Sequence, residues 1–291
     1  MRKILSILNS ILREMRVHHY VKNILIFAAL VCSGNMLDIC HIAACLWGGA
    51  AFCAASSAIY FINDLCDREK DRLHPTKSKR PIASGQISTF CAQICIVLLI
   101  VVSIACNSAV YSEVSSLLLA GYFFMNLGYS LGLKNIPLLD TTILVSGFLI
   151  RVVYGAIICN IVVSDWLYLT VISLSFFLAF GKRRNELRTY HDATTREVLR
   201  HYPPAFLDRS MYLFLGLSNV FYALWAKDKS SVDIGSHFIW TVPLVLLITL
   251  RYCMTIEGES DGDPVEVLFH DRILIILCVA FLLVFIAMLY L

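Results

Sequence analysis

Residues 41–85 read HIAACLWGGAAFCAASSAIYFINDLCDREKDRLHPTKSKRPIASG. Residues 41–62 form an apolar run without a single Asp, Glu, Lys or Arg. A membrane-spanning helix needs roughly 17–25 such residues, so the run reads as a span. Its end changes character at once. Asn63, Asp64, Asp67 and Asp71 stand at i, i+1, i+4 and i+8, and Lys77, Lys79 and Arg80 follow. If the helix continues past the membrane, Asn63, Asp67 and Asp71 fall along one side with Asp64 beside them. Carboxylates gathered there repel one another unless a cation joins them. Hard oxygen ligands suit Mg²⁺, which shares its shell with water and substrate phosphates. Lys77, Lys79 and Arg80 suit phosphate. Pro75 and Pro81 stop the helix and fold this basic loop back toward the acids. The plain alternative is a solvated loop between two spans; acids and then bases at the end of an apolar run favour a site.

The rest of the chain has the same character. It has 291 residues, 58% hydrophobic and 15% charged, with mean hydropathy +0.74. A soluble domain carries about 25% charged residues, so soluble classes are excluded. The net charge of +3 names no partner, and no nucleic acid is expected. The eleven cysteines are scattered, mostly inside apolar runs and without a CxxC pair. They read as small hydrophobes rather than as zinc ligands or a disulfide framework.

The chain reads as an all-α polytopic membrane protein with nine spans, at about 24–38, 41–62, 88–107, 110–130, 137–158, 164–181, 210–227, 236–253 and 272–290. The first is short, and is either tilted or broken near Gly34. All are helices, because lipid offers no partner to an unpaired backbone group. Residues 1–23, with Arg2, Lys3, Arg13, Arg16 and Lys22, form a basic amphipathic segment on the membrane surface. With the N-terminus in the cytoplasm, 21 of the 24 Lys and Arg residues lie inside. Lys227 and Lys229 lie outside, and Arg151 is buried in the fifth span. The positive-inside rule therefore places the N-terminus and the long polar connections, 63–87, 181–209 and 254–271, on the cytoplasmic side of the cell membrane. No separate soluble domain interrupts residues 1–291.

Two more constellations carry charge. Tyr129 and Lys134 sit in the short connection before the fifth span, and Asp140 and Arg151 share a face of that span. Arg151 would lie roughly 16 Å deeper than Asp140, at 1.5 Å per residue. An arginine at that depth needs a partner, either an anionic ligand or a neighbouring helix. Gly147 suits close helix packing. The sixth span runs into GKRRNEL, where Lys182, Arg183, Arg184 and Arg188 surround Glu186. This turn is either a positive-inside anchor or a second phosphate-binding wall. The histidines His18, His19, His74, His191, His201 and His270 read as interfacial rather than as proton shuttles. The acidic stretch 257–266 reads equally as a lid or a solvated loop.

NDLCDREKD resembles the NDxxDxxxD signature of the UbiA superfamily of membrane prenyltransferases, and HPTKSKRPIASG is typical of its continuation. The resemblance implies a bundle of nine helices around a cavity open to the cytoplasm. It implies a diphosphate held through Mg²⁺ by Asn63, Asp67 and Asp71, with Asp64 close by. Members usually carry a second aspartate-rich motif of DxxxD type where this chain has GKRRNEL. HHYVKNILIFAAL, YSLGLKNIPLLD, SGFLIR, AFGKRRNEL and GDPVEVLFHDR, in that order, resemble the branch of decaprenyl-phosphate phosphoribosyltransferases. That branch implies phosphoribosyl diphosphate and a polyprenyl phosphate as substrates, with diphosphate released. Asp64, Asp67 and Asp71 would form the catalytic cluster. Lys22, Lys77, Lys79, Arg80, Lys134, Lys182 and Arg183 are phosphate-binding candidates, with Tyr129, Arg151 and Glu186 beside them. The sequence allows a homo-oligomer without specifying one. The rivals are prenyl transfer to an aromatic or quinone-precursor acceptor on the same fold, and a transporter or lipid flippase. The flippase reading predicts inverted repeats, and none is visible.

Overall fold

The computed structural model describes residues 2–74, 76–110, 112–189, 197–232, 237–258 and 264–290. Every element among them is helical. The α-helices are α1 (Arg2–Glu14), α2 (Ala28–Ser33), α3 (Ile39–Cys66), α4 (Arg68–Arg72), α5 (Thr89–Ser108), α6 (Glu113–Leu131), α7 (Leu139–Ile158), α8 (Asp165–Thr189), α9 (Pro204–Val232), α10 (Val242–Glu257), α11 (Pro264–His270) and α12 (Arg272–Tyr290). The chain divides into two compact units, one of Met1–Ile143 with Ile150–Val162 and the other of Leu144–Leu149 with Val163–Leu291.

Among the described residues seven helices are long and apolar enough to cross a membrane: Ile39–Cys66, Thr89–Ser108, Glu113–Leu131, Leu139–Ile158, Asp165–Arg188, Phe238–Glu257 and Arg272–Leu289. The other two expected spans take different forms. Residues Val17–Phe27 are a 3-10 helix that leads into the six-residue α2. The helix stops at Ser33 because Gly34 adopts φ 82, a conformation that glycine enters without steric cost. Asp38 then caps the next helix, its Oδ1 accepting from the Cys40 backbone N–H at 2.8 Å. The expected span at 210–227 lies inside α9, which has 29 residues and is long enough. Asp208 and Arg209 near its start, and Lys227, Asp228 and Lys229 near its end, dilute its apolar character.

In the first unit α3 is the central element. Over half of its apolar stretch, 56%, is buried, against 11% for α5. The sequence explains the difference. Helix α3 is rich in Ala, Gly and Ser, which let neighbouring backbones approach, whereas α5 shows Val97, Leu98, Val101 and Ile104 to the outside. Ser103 of α5 donates to the Ala51 carbonyl of α3 at 2.9 Å. Phe52, Tyr122 and Tyr154 close the core, with Phe52 edge-on to Tyr154. In the second unit α8 packs along α9. Phe176 and Phe180 stack on Phe214, and Trp225 stacks on Phe285.

The tightest backbone approach in the first unit is at Gly155. A Cβ there would lie 1.8 Å from the Ile26 carbonyl oxygen. Backbone cannot move aside as a flexible side chain can. Gly155→Ala should therefore cost about 1–3 kcal/mol, seen as a lower unfolding temperature in detergent. Gly121→Ala, where nothing lies within 4 Å, should leave that temperature unchanged or raise it slightly.

Candidate active site

The acidic turn forms because the helical hydrogen-bond spacing survives past the end of α3. Asp67 N–H donates to the Asn63 carbonyl at 2.9 Å, and Asp71 N–H donates to the Asp67 carbonyl at 2.8 Å. Asp67 itself (φ −90, ψ 2) joins α3 to α4. Asn63, Asp67 and Asp71 thus keep i, i+4, i+8 spacing across the junction.

Each carboxylate then takes a cation. Asp64 is 2% exposed. It accepts two bonds from Arg16 Nη2, at 2.7 and 2.8 Å, and one from Arg80 Nη1 at 3.1 Å. Arg80 Nη1 also reaches Asp71 at 2.7 Å, so one guanidinium bridges both acids. Asp67 pairs with Lys134 Nζ at 2.5 Å, and the same ammonium lies 3.5 Å from Asn63 Oδ1. Arg80 arrives because the loop turns back. Helix α4 ends at Arg72, Arg72 Nε donates to the Ala83 carbonyl at 3.2 Å, and Ser84 N–H donates to the Arg80 carbonyl at 2.8 Å. Pro75, the first expected breaker, lies outside the described residues.

The structure thus joins Asp64, Asp67, Asp71, Asn63, Arg80 and Lys134 in one charge-compensated cluster. Lys77 is half-buried and Lys79 is exposed, both in the 3-10 turn Lys77–Lys79. Lys22 and Tyr129 are half-buried. Arg151 is 7% exposed and is held by neutral partners, with Nε on Asn23 Oδ1 at 2.7 Å and Nη2 on the Tyr122 hydroxyl at 2.8 Å. The Tyr122 ring lies 4.7 Å from its guanidinium.

In the second unit the basic turn is tied to acids. Arg183 is fully buried and donates to Glu186 Oε2 at 2.8 Å. Arg184 pairs with Asp208 and, at 2.6 Å, with Glu257. Arg188 and the Tyr212 hydroxyl also bind Glu257, at 2.9 and 2.8 Å. Asn185 Nδ2 donates to the Ile256 carbonyl. The turn ties the ends of α8, α9 and α10 together. Lys182 is half-buried there. His191 and residues 259–263 of the acidic stretch lie outside the described residues.

Two members of the first cluster were missing from the sequence reading. Arg16 sits at φ 52 between α1 and the following 3-10 helix, its guanidinium 4.8 Å from the Tyr60 ring. Glu14 is 1% exposed, and no donor among the described residues reaches its carboxylate oxygens. The signal was a lone acid among bases in residues 1–23, which reads as amphipathic surface unless the fold is known. Burial, first, and the nearby Asp64 charge push the Glu14 carboxyl up to about 8. Burial works against the charge of Arg16, but Asp64 overrides it and holds that guanidinium more firmly protonated than usual. Burial also raises Asp71 above the ordinary carboxylate range, with Asp64 adding and Arg80 opposing.

No three His, Cys, Asp or Glu side chains among the described residues gather closely enough to enclose a metal. The donor set still suits a hard cation. Asn63 Oδ1 and Asp67 Oδ2 already converge on one positive group, the Lys134 ammonium. Mg²⁺ is held by as few as one or two carboxylates, with water and phosphate completing its shell.

A family model described as the UbiA prenyltransferase family matches residues 24–256. A decaprenyl-phosphate phosphoribosyltransferase of Mycolicibacterium smegmatis is 33% identical, over 95% of this chain and 91% of its own. A protein of the same name from Corynebacterium glutamicum is 33% identical over 94% and 85%. Among solved structures, a UbiA homolog from Archaeoglobus fulgidus bound to GPP and Mg²⁺ superposes with a TM-score of 0.71 at 19% identity, covering 97% of this chain and all of its own. At that identity the likeness concerns the fold.

Glu14 gives a pH prediction. The folded protein holds its proton up to about pH 8, whereas the unfolded chain releases it near 4.5. The stability tied to that proton is complete below pH 4.5 and is lost as pH rises through about 8. Glu14→Gln should therefore match the parent below pH 4.5 and exceed it by up to a few kcal/mol above pH 8. Thermal unfolding in detergent across that window checks it. Identical pH profiles for the two proteins would refute the buried-acid assignment.

Proposed function

We propose that this chain, which belongs to the UbiA prenyltransferase family, transfers a phosphoribosyl group from phosphoribosyl diphosphate to a polyprenyl phosphate of the decaprenyl type. One observation carries the reading: relatives bearing the name of that activity match at 33% identity along 95% of this chain, so the likeness includes the polar turns as well as the spans. The family match runs through both compact units. That supports one functional domain over residues 1–291, with nine spans, a cytoplasmic N-terminus and a site open to the cytoplasm in the cell membrane.

The chemistry asks for positioned charge. A phosphate oxygen of the lipid attacks the ribose anomeric carbon while the bond from that carbon to the diphosphate oxygen breaks. The new carbon–oxygen bond leaves the ribose joined to the lipid phosphate, and diphosphate departs. The lipid phosphate is ionised near neutral pH, so no strong base is required; orientation dominates. When bound, Mg²⁺ neutralises charge on the diphosphate leaving group, and Asn63, Asp67 and Asp71 are the residues that would hold it. Lys77, Lys79, Arg80 and Lys134 offer cationic donors for the three phosphate groups, as preorganised electrostatic partners. Asp64, locked by Arg16 and Arg80, keeps Arg80 in place.

Membranes carrying the protein should make labelled polyprenyl-phosphoryl-phosphoribose from labelled phosphoribosyl diphosphate and polyprenyl phosphate, in a Mg²⁺-dependent way. Asp67→Ala should lower the rate by about 100-fold or more. Activity with a prenyl diphosphate and an aromatic acceptor, but none with phosphoribosyl diphosphate, would establish the rival reaction instead. An undiminished rate in Asp67→Ala would remove Asp67 from the site.

A further inference from the structure

The connection before α12, HDR at residues 270–272, belongs to none of the chemistry above. It borders a cleft of about 490 Å³ in the second unit, where α10 ends and α12 begins. Its polar lining is Arg251, Thr255, His270, Asp271 and Arg272, and its apolar lining is Met254 and Ile273.

Asp271 organises this wall. It caps α12, accepting from the backbone N–H groups of Ile273 at 2.9 Å and Leu274 at 3.2 Å. It also accepts from Thr255 at 2.5 Å and from Arg251 Nε at 2.7 Å and Nη2 at 3.2 Å. The fork on Arg251 fixes that side chain and leaves Nη1 for another acceptor. Asp271 balances Arg251, whereas Arg272 forms no ion pair among the described residues. Among the described residues the cleft therefore has one cation without an ion pair, with an imidazole beside it and a preset guanidinium.

The outer side of the cleft is apolar. Met254 is 67% exposed and Ile273 is 52% exposed. Leu250, one turn from Met254 on α10, and Ile276, one turn from Ile273 on α12, are also exposed. The stretch Phe238–Glu257, which ends with α10, and α12 are of membrane-crossing length and composition. A cationic pocket at the end of two spans, continued by apolar side chains along the spans, matches a molecule with an anionic head and a hydrocarbon tail. A soluble anion has no use for the second half of that surface.

We propose that this cleft binds the phosphate headgroup of a membrane lipid, held by Arg272, His270 and the free edge of Arg251, with its chain along Met254 and Ile273. Its occupancy needs no phosphoribosyl donor.

The test is lipid binding to delipidated, detergent-solubilised protein, followed by native mass spectrometry. Polyprenyl phosphate, phosphatidylglycerol, phosphatidylcholine and inorganic phosphate are titrated separately. The parent protein should retain a lipid from one of the first two. Stronger retention of polyprenyl phosphate identifies a phosphomonoester ligand, stronger retention of phosphatidylglycerol a phosphodiester, and either supports the site. His270→Ala with Arg272→Glu should weaken binding about tenfold or more. Arg272→Lys, which keeps the charge, should retain most of it. Three results would overturn the proposal: undiminished binding in the double variant, equal retention of phosphatidylcholine, or displacement of lipid by inorganic phosphate at equal concentration.

Discussion

Asp64 is a nearly inaccessible carboxylate at the end of a membrane-length helix, and a charge so placed stays ionised only when it is paired and hydrogen-bonded. Two arginines meet that demand from opposite directions in sequence. Arg16 comes from the segment before the first apolar run, and Arg80 from the loop after α4. Their convergence brings three remote stretches of chain to one point. The helix end at 63–71, the returning loop at 77–81 and the N-terminal segment are held together by the same carboxylate. Breaking a pair of this kind leaves a buried charge without compensation, a far larger cost than the pair's own net worth.

The same logic shapes the surrounding cluster. Lys134 spans Asn63 and Asp67, and Arg80 spans Asp64 and Asp71. Without a ligand the acids are neutralised by the protein's own cations. Glu14 is the exception. It is buried beside Asp64 without a donor of its own and stays protonated toward neutral pH. Its position is one of strain in the electrostatic sense, tolerable because protonation removes the charge.

The second unit uses its charges differently. Glu257 gathers Arg184, Arg188 and Tyr212, so part of the basic run at the end of α8 is spent on closing the helix ends. A run of bases in a sequence has the same appearance whether it anchors, braces or binds. Only the positions of acids far along the chain, Asp208 and Glu257 here, separate these roles.

The sequence by itself determined the membrane class, the helical nature of the chain and the acidic turn. Each of these follows from local rules. Apolar runs of span length must be helical in lipid, and an i, i+4, i+8 series of polar residues lies on one helix side wherever the helix goes. Of the two forms open for the first span, a tilt or a break near Gly34, the structure has the break, because glycine enters positive φ without steric cost. Only the tertiary structure decided who neutralises whom. Arg16 reaches Asp64 across 48 positions and Lys134 reaches Asp67 across 67, and no pattern in a single chain encodes such pairings. Arg151 donates to Asn23 and Tyr122, side chains that carry no charge and so are invisible to a charge count. The physical reason is one of range. Periodicity and hydropathy act through neighbours in sequence, whereas compensation of a buried charge acts through space.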